Sequence, residues 1–351
     1  MSGAQETRRE VEPVPAVHHA RDPQHERDES SAGTPLSQLA SRFKPSQAPW
    51  LWSVVGAVLV WLVTAGVFGF GIAGNVVATA LVFAIFMVFV GLGQMLVITA
   101  GPGNVDLSIP SAIALSGVVG VQVMKSQDSM IAAGIGVALA VGVLIGLANY
   151  LLIRLLRIPP IIATLSSSFI VQSVAITQSR DMPPPPPALQ AFSHDRFIGL
   201  PNVAWLVLVI SIVLVLLLYR TVFGRGLSAL GQNARAAWLA GVKVERVRCL
   251  TYMLCATFAA LTGLVLAAVS GGAALDMGVE YMLISVAVVV IGGTLVTGGR
   301  ASVAGVWGAS MFLFLTNAML NALGAGAGVR SVVYGLLIIA VVALAGGRPA
   351  R

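Results

Sequence analysis

Charge is what this chain has least of. Asp, Glu, Lys and Arg make up 10% of its 351 residues, against about a quarter in a soluble domain. A water-solvated surface of ordinary size is therefore excluded. Cysteine is nearly absent: Cys249 and Cys255 stand six apart, with neither a CxxC nor a metal-ligand spacing. Histidine is equally scarce. His18, His19, His25 and His194 form no HExxH pair. No paired carboxylates occur in the apolar part of the chain, so no catalytic residue and no metal ligand are assigned.

What is present is apolar. Hydrophobic residues make up 57% of the chain, and they gather into runs long enough to cross a bilayer. Ten such runs are expected, at about 50–72, 75–99, 108–124, 130–153, 160–178, 203–219, 248–270, 280–297, 302–322 and 331–347. Each satisfies its backbone hydrogen bonds only as a helix, because open sheets cannot span lipid and the runs are too uniformly apolar for barrel strands. The expected fold is an all-α membrane protein in one transmembrane domain, 49–351. Residues 1–48 are polar, mixed in charge and poor in large apolar side chains. They are expected to form a disordered tail.

The net charge of +7 points to membrane topology and not to nucleic acid, because the basic residues sit at the ends of apolar runs and form no basic groove interleaved with aromatics. With the N-terminus inside, the inner links hold Arg154, Arg157, Arg220, Arg225, Arg235, Lys243, Arg246, Arg248, Arg300, Arg348 and Arg351. The outer links hold Lys125, Arg180, Arg196 and Arg330. That imbalance supports ten spans with both termini cytoplasmic.

Three polar stretches interrupt the apolar pattern. The first, 101–110, reads Gly-Pro-Gly-Asn-Val-Asp-Leu-Ser-Ile-Pro. It breaks the helix and carries Asp106, a carboxylate among spans. Such a group is costly in lipid and marks a site by default. Asn104, Asp106 and Ser108 are candidates for a translocation path. Alternatively, Asp106 or Ser108 caps the third span.

The second stretch, about 220–248, holds Asn233 as a helix N-cap, Ala234–Ala240 with high helix propensity, and Gly241 as a left-handed stop. A two-turn helix follows, too short to stand alone. Ala236, Ala237 and Ala240 would offer a small-residue surface to another protein. A helix resting on the bilayer with Trp238 at the interface is the other reading.

The third stretch holds Gly292, Gly293, Gly298, Gly299 and Arg300. It lacks the Gly-Lys-Ser/Thr ending of a phosphate loop, and no such loop occurs elsewhere. A tight inner turn with close helix packing is expected there.

Together these stretches resemble the ribose-type ABC importer permeases, the inner-membrane components of binding-protein-dependent transport. Gly231-Gln-Asn233-Ala-Arg-Ala236-Ala237 through Gly241 resembles that family's cytoplasmic loop. Residues 99–111 resemble its T-A-G-G-I-D-L-S stretch, with two extra residues, Asn104 for Gly and Pro110 for Gly. Residues 292–305 resemble its later glycine-rich motif, with Ala301 for Gly.

The resemblance implies a permease subunit in a bacterial inner membrane, built from two pseudo-symmetric halves and importing a sugar or similar small polar solute. Gly231, Asn233, Ala236, Ala237 and Gly241 would couple it to cytoplasmic ATPase subunits. ATP would be bound by those partners, leaving this chain with no cofactor and no ATPase activity. A second permease chain, identical or a sister, and an extracytoplasmic solute-binding protein complete the expected assembly. The alternative is an ion-coupled secondary transporter that uses Asp106.

Overall fold

A computed structural model describes residues 50–345. The polar tail at 1–48, and Arg348 and Arg351, lie outside the described residues. Each of the ten apolar runs is a helix. They are α1 (Trp50–Phe68), α2 (Phe70–Thr99), α3 (Ile109–Met124), α4 (Ile131–Leu156), α5 (Pro160–Gln178), α7 (Asn202–Arg220), α10 (Val244–Val269), α11 (Tyr281–Ile291), α12 (Val303–Ala322) and α13 (Ala327–Ala345). Three shorter helices lie in the links: α6 (Pro187–His194), α8 (Val222–Gln232) and α9 (Ala234–Leu239). Among the described residues, seven helices are long and apolar enough to cross a membrane, so this is an α-helical multi-pass membrane protein.

Three differences from the sequence reading bear on the order of elements. The run at 280–297 stops at Ile291, because Gly292 and Gly293 end it early. The link at 220–248 contains a full helix, α8, ahead of the expected short one. The all-helical expectation also missed a two-stranded ladder, β1 (Arg196–Phe197) against β2 (Leu200–Pro201).

The bundle is built around α2. From Ala84 to Thr99 every residue of α2 is buried, so this stretch has no lipid-facing side and is surrounded by protein. Helix α10 is its main neighbour and also packs on α3 and α4. Small residues permit these approaches. A Cβ on Gly142 would lie 2.8 Å from the Ala256 carbonyl oxygen, and one on Gly146 would run into the backbone of Tyr252 and Met253. The Gly-x-x-x-Gly pair of α4 is thus a contact within the bundle, against α10. Lipid gives no hydrophobic drive for helix association, so such tight van der Waals contact holds the helices together.

At the end of α4 and the start of α10, Glu245 ties the two together. It pairs with Arg154 at 2.9 Å and Arg248 at 3.4 Å, and accepts from the Tyr150 hydroxyl at 3.0 Å.

The long link at 179–202 folds back on the bundle. The run Pro183–Pro187 is extended up to Pro187, where α6 begins, and Pro185 and Pro186 are buried. Ser126 donates to the Pro184 carbonyl at 2.7 Å, and Asp128 accepts the Ala188 amide at 2.9 Å, closing the start of α6 from a different segment.

Candidate functional site

The broken segment between α2 and α3 is held from four helices. The Asp106 amide donates to Gln94 Oε1 of α2 at 3.3 Å. The Leu107 amide donates to Thr164 Oγ1 of α5 at 3.0 Å. The Tyr252 hydroxyl of α10 donates to Asn104 Oδ1 at 3.1 Å. Asn149 of α4 donates to Ser108 Oγ at 2.7 Å and to Asp106 Oδ1 at 3.4 Å. Lipid offers these backbone groups no partner, so protein side chains supply them.

Asp106, Ser108, Gln94, Asn149 and Thr164 are all fully buried. Asp106 Oδ1 accepts the Ser108 amide at 2.9 Å and the Ser108 hydroxyl at 2.6 Å. Ser108 does occupy the N-cap of α3, but its side chain accepts no bond from a helix amide. Its hydroxyl is turned to Asp106, and the carboxylate braces the turn before the helix. The capping expected of Asp106 or Ser108 is therefore replaced by a brace one step earlier in the chain. Asn104 is half-buried and also donates to the Gly101 carbonyl at 3.1 Å.

The short helix at 233–241 forms as its residues dictate. Asn233 takes an extended backbone and its side chain accepts the Ala236 amide at 3.0 Å. Gly241 has φ +83°, a conformation costly for a residue with a Cβ. The amides of Gly241 and Val242 close on the carbonyls of Trp238 and Ala237 at 3.0 Å each, as a left-handed helix stop requires.

Only part of the small-residue surface expected of α9 is exposed. Ala237 is buried against the chain, while Ala236 and Ala240 are exposed. The prominent groups are Trp238, 58% exposed, and Leu239, 69% exposed. Arg235 lies 5.1 Å over the Trp238 ring, which holds the indole in place. The small-residue surface thus loses Ala237 and gains a large apolar pair.

Three separate glycine stretches of the sequence meet directly beside α9. Gly231, near the end of α8, is buried, and a Cβ there would collide with the Thr99 carbonyl oxygen and the Gly299 amide nitrogen. Gly298 has φ +89°, and a Cβ on it would stand 2.6 Å from Gly101 Cα and 3.0 Å from the Gly231 oxygen. The Gly299 amide donates to the Thr99 carbonyl at 2.9 Å. The end of α2, the end of α8 and the turn after α11 are therefore in backbone contact, with no room for side chains between them.

Gly292 and Gly293 lie outside this junction. Gly292 packs against Gly305 of α12, where a Cβ would stand 2.6 Å from the Gly305 carbonyl carbon. Gly293 makes the turn itself, at φ +79°. Arg300 is exposed just past the junction.

Sequence reasoning missed Gln94, Asn149, Thr164 and Tyr252. A signal was available for the first two. A Gln and an Asn isolated in apolar helices must find polar partners, and the break at 101–108 offers them.

A bundle of apolar helices with an enclosed polar break and an exposed short helix beside it defines a membrane-embedded protein. Comparison with known proteins makes this specific. A family model described as branched-chain amino acid transport system / permease component matches residues 75–342, and the chain belongs to that family.

Among curated relatives, the chain is 28% identical to the ribose import permease protein RbsC of Escherichia coli (strain K12), over 71% of this chain and 78% of that protein. It is 31% identical to the ribose import permease protein RbsC of Bacillus subtilis (strain 168), over 69% and 76%. It is 32% identical to the autoinducer 2 import system permease protein LsrC of Klebsiella pneumoniae subsp. pneumoniae, over 69% and 71%. No solved structure matches. The resemblance to ABC importer permeases is borne out.

Proposed function

We propose that this chain is the membrane subunit of an ATP-driven importer for a sugar or a similarly small polar solute, and that it sits in a bacterial inner membrane with both termini inside. The names of the relatives support the solute class: ribose import for two of them, and autoinducer 2 import for the third. They also favour the ATP-driven reading over an ion-coupled carrier built on Asp106. In this reading all ten helices are embedded in the bilayer, the shorter ones crossing it together with the turns that adjoin them, and two permease chains enclose the path. Two ATPase subunits dock on the cytoplasmic face, and a binding protein delivers solute from outside. The ATPase partners hold and hydrolyse ATP, and this chain contributes no catalytic group.

The observation that carries the reading is the position of α9 on the glycine junction. Trp238 and Leu239 are large apolar groups exposed on a polar link, which suits a groove on a partner protein. Force on α9 passes within two residues to Gly231. From there, backbone contact carries it to the end of α2 and to the turn at 298–299. Both are rigid neighbours with no side chain between them to absorb the movement. In this scheme Gly231, Asn233, Ala236 and Gly241 shape the input, and Gly298 and Gly299 pass it on. Asn104, Asp106 and Ser108 keep the break at the end of α2 in a single shape as it moves and set the width of the path beside it.

The docking role is tested by Trp238→Glu and Leu239→Glu. Each places a charge where an apolar partner surface is expected, and each leaves the fold intact because the native side chain is exposed. Both are expected to abolish co-purification of an ATPase with a Walker motif from native membranes. Undiminished co-purification by both variants would remove α9 as the docking element.

A further inference from the structure

The link before α7 carries an apolar tip that the transport reading leaves without a role. Strands β1 and β2 are joined by Ile198 and Gly199, at φ +51° and +77°. Two positive φ values make the tight turn whose twist matches a two-residue hairpin. Asn or Asp followed by Gly is the usual choice. An isoleucine at the first position is a strained one, since its branched Cβ crowds a left-handed backbone.

Ile198 is also 77% exposed, and the adjoining Phe197 is 61% exposed. Strain in a buried isoleucine would be offset by core packing. Here the side chain points away from the protein, so whatever it serves lies outside the chain.

The hairpin's position identifies that surrounding. It ends at Pro201 and α7 begins at Asn202. With its 19 residues, α7 is about 28 Å long at 1.5 Å per residue, close to the roughly 30 Å hydrocarbon thickness of a bilayer. The hairpin therefore lies level with the headgroups, at the end of α7 opposite α8 and α9.

Trp205, one turn into α7, anchors it there. Its indole N–H donates to the Phe197 carbonyl at 2.9 Å, and its ring meets Phe197 edge-on at 6.2 Å between centroids. An indole with one apolar face and one hydrogen-bonded edge is the side chain favoured at a membrane boundary. Phe192, Phe197, Trp205, Leu206 and Val209 line a shallow apolar groove beside it. That groove runs directly into the exposed stripe of α7, through Val209 to Ile212, Val213 and Leu216, each more than half exposed. In a membrane protein that stripe faces acyl chains.

We propose that the hairpin at 196–201 is an interfacial lipid anchor. Phe197 and Ile198 enter the boundary between headgroups and acyl chains, and an acyl chain occupies the groove beside Trp205. Arg196, exposed at the base of the hairpin, stands at phosphate level. The continuity of the groove with the stripe on α7 favours lipid over a protein partner.

The test is spin-label accessibility at Ile198→Cys, in a background of Cys249→Ala and Cys255→Ala. The full chain is reconstituted in phosphatidylcholine–phosphatidylglycerol vesicles without ATPase, binding protein or solute. Ile212→Cys serves as the lipid reference and Asp181→Cys as the water reference. The expected result is relaxation by oxygen that exceeds relaxation by a water-soluble nickel chelate, as at Ile212→Cys. A label as open to the nickel chelate as the Asp181→Cys label would overturn the proposal. So would a label shielded from both reagents, which would mean a protein contact from a second copy. Because no transport is measured, this outcome is independent of the importer reading.

Discussion

Gly231→Ala is expected to cut coupled uptake sharply while leaving α9 able to hold its ATPase partner. The added methyl group would meet the Thr99 carbonyl oxygen and the Gly299 amide nitrogen. Both are backbone atoms, and neither can turn away as a flexible side chain can. The chain must separate α8 from the end of α2 or break the bond from the Gly299 amide to the Thr99 carbonyl.

Overpacking of this kind costs about 1–3 kcal/mol, and since about 1.4 kcal/mol is tenfold in a rate, uptake should fall about fivefold to a hundredfold. The informative measurement is the ratio of ATP hydrolysed to solute moved, in complexes matched for subunit content. A variant that hydrolyses ATP and moves little solute locates the fault in transmission. A variant with normal uptake removes the junction from the mechanism. Gly136→Ala serves as the control. Gly136, like Gly231, lies within a helix and has no positive φ, yet a Cβ there meets nothing within 4 Å, so it adds the methyl group without the collision.

The second large effect is expected at Asp106, and its direction depends on the substituent. Asp106→Ala removes the acceptor of the Ser108 amide, the Ser108 hydroxyl and the Asn149 amide group. Each buried group left without a partner costs about 1–3 kcal/mol, so the variant is expected to lose membrane yield, thermal stability in detergent and uptake together. Asp106→Asn keeps a carbonyl oxygen in the place of Oδ1 and is expected to retain most of both stability and uptake. Full stability with no uptake in Asp106→Asn would mean that the charge itself does work during transport. That result would revive the ion-coupled reading.

Local chemistry made some features legible in the sequence and left others hidden. The ten apolar runs were visible because each must solve its backbone hydrogen bonding alone. The helix at 233–241 was visible for the same reason, since the Asn233 cap and the Gly241 stop act on their own neighbours. The break at 101–108 announced itself through Pro102 and the glycines.

The meeting of Gly101, Gly231 and Gly298 was not visible, because it joins residues more than 60 positions apart and no periodicity records such a contact. The inward turn of Ala237 was hidden likewise, since a six-residue helix shows no pattern long enough to tell which face is covered.

The break after α2 and the turn after α11 are in contact at the junction. The hairpin at 196–201 escaped notice because Ile198 is a poor turn residue. A local rule is broken there, and a role outside the chain accounts for the departure.

The most direct test of the importer assignment is solute uptake by sealed vesicles that contain this chain, its ATPase partner and its binding protein. ATP is supplied on the α9 side, and ion gradients are collapsed with ionophores. The account predicts that uptake continues without gradients, stops when the ATPase is omitted, and stops when ATP is replaced by a non-hydrolysable analogue. Uptake that persists without the ATPase and disappears with the ionophores would contradict it.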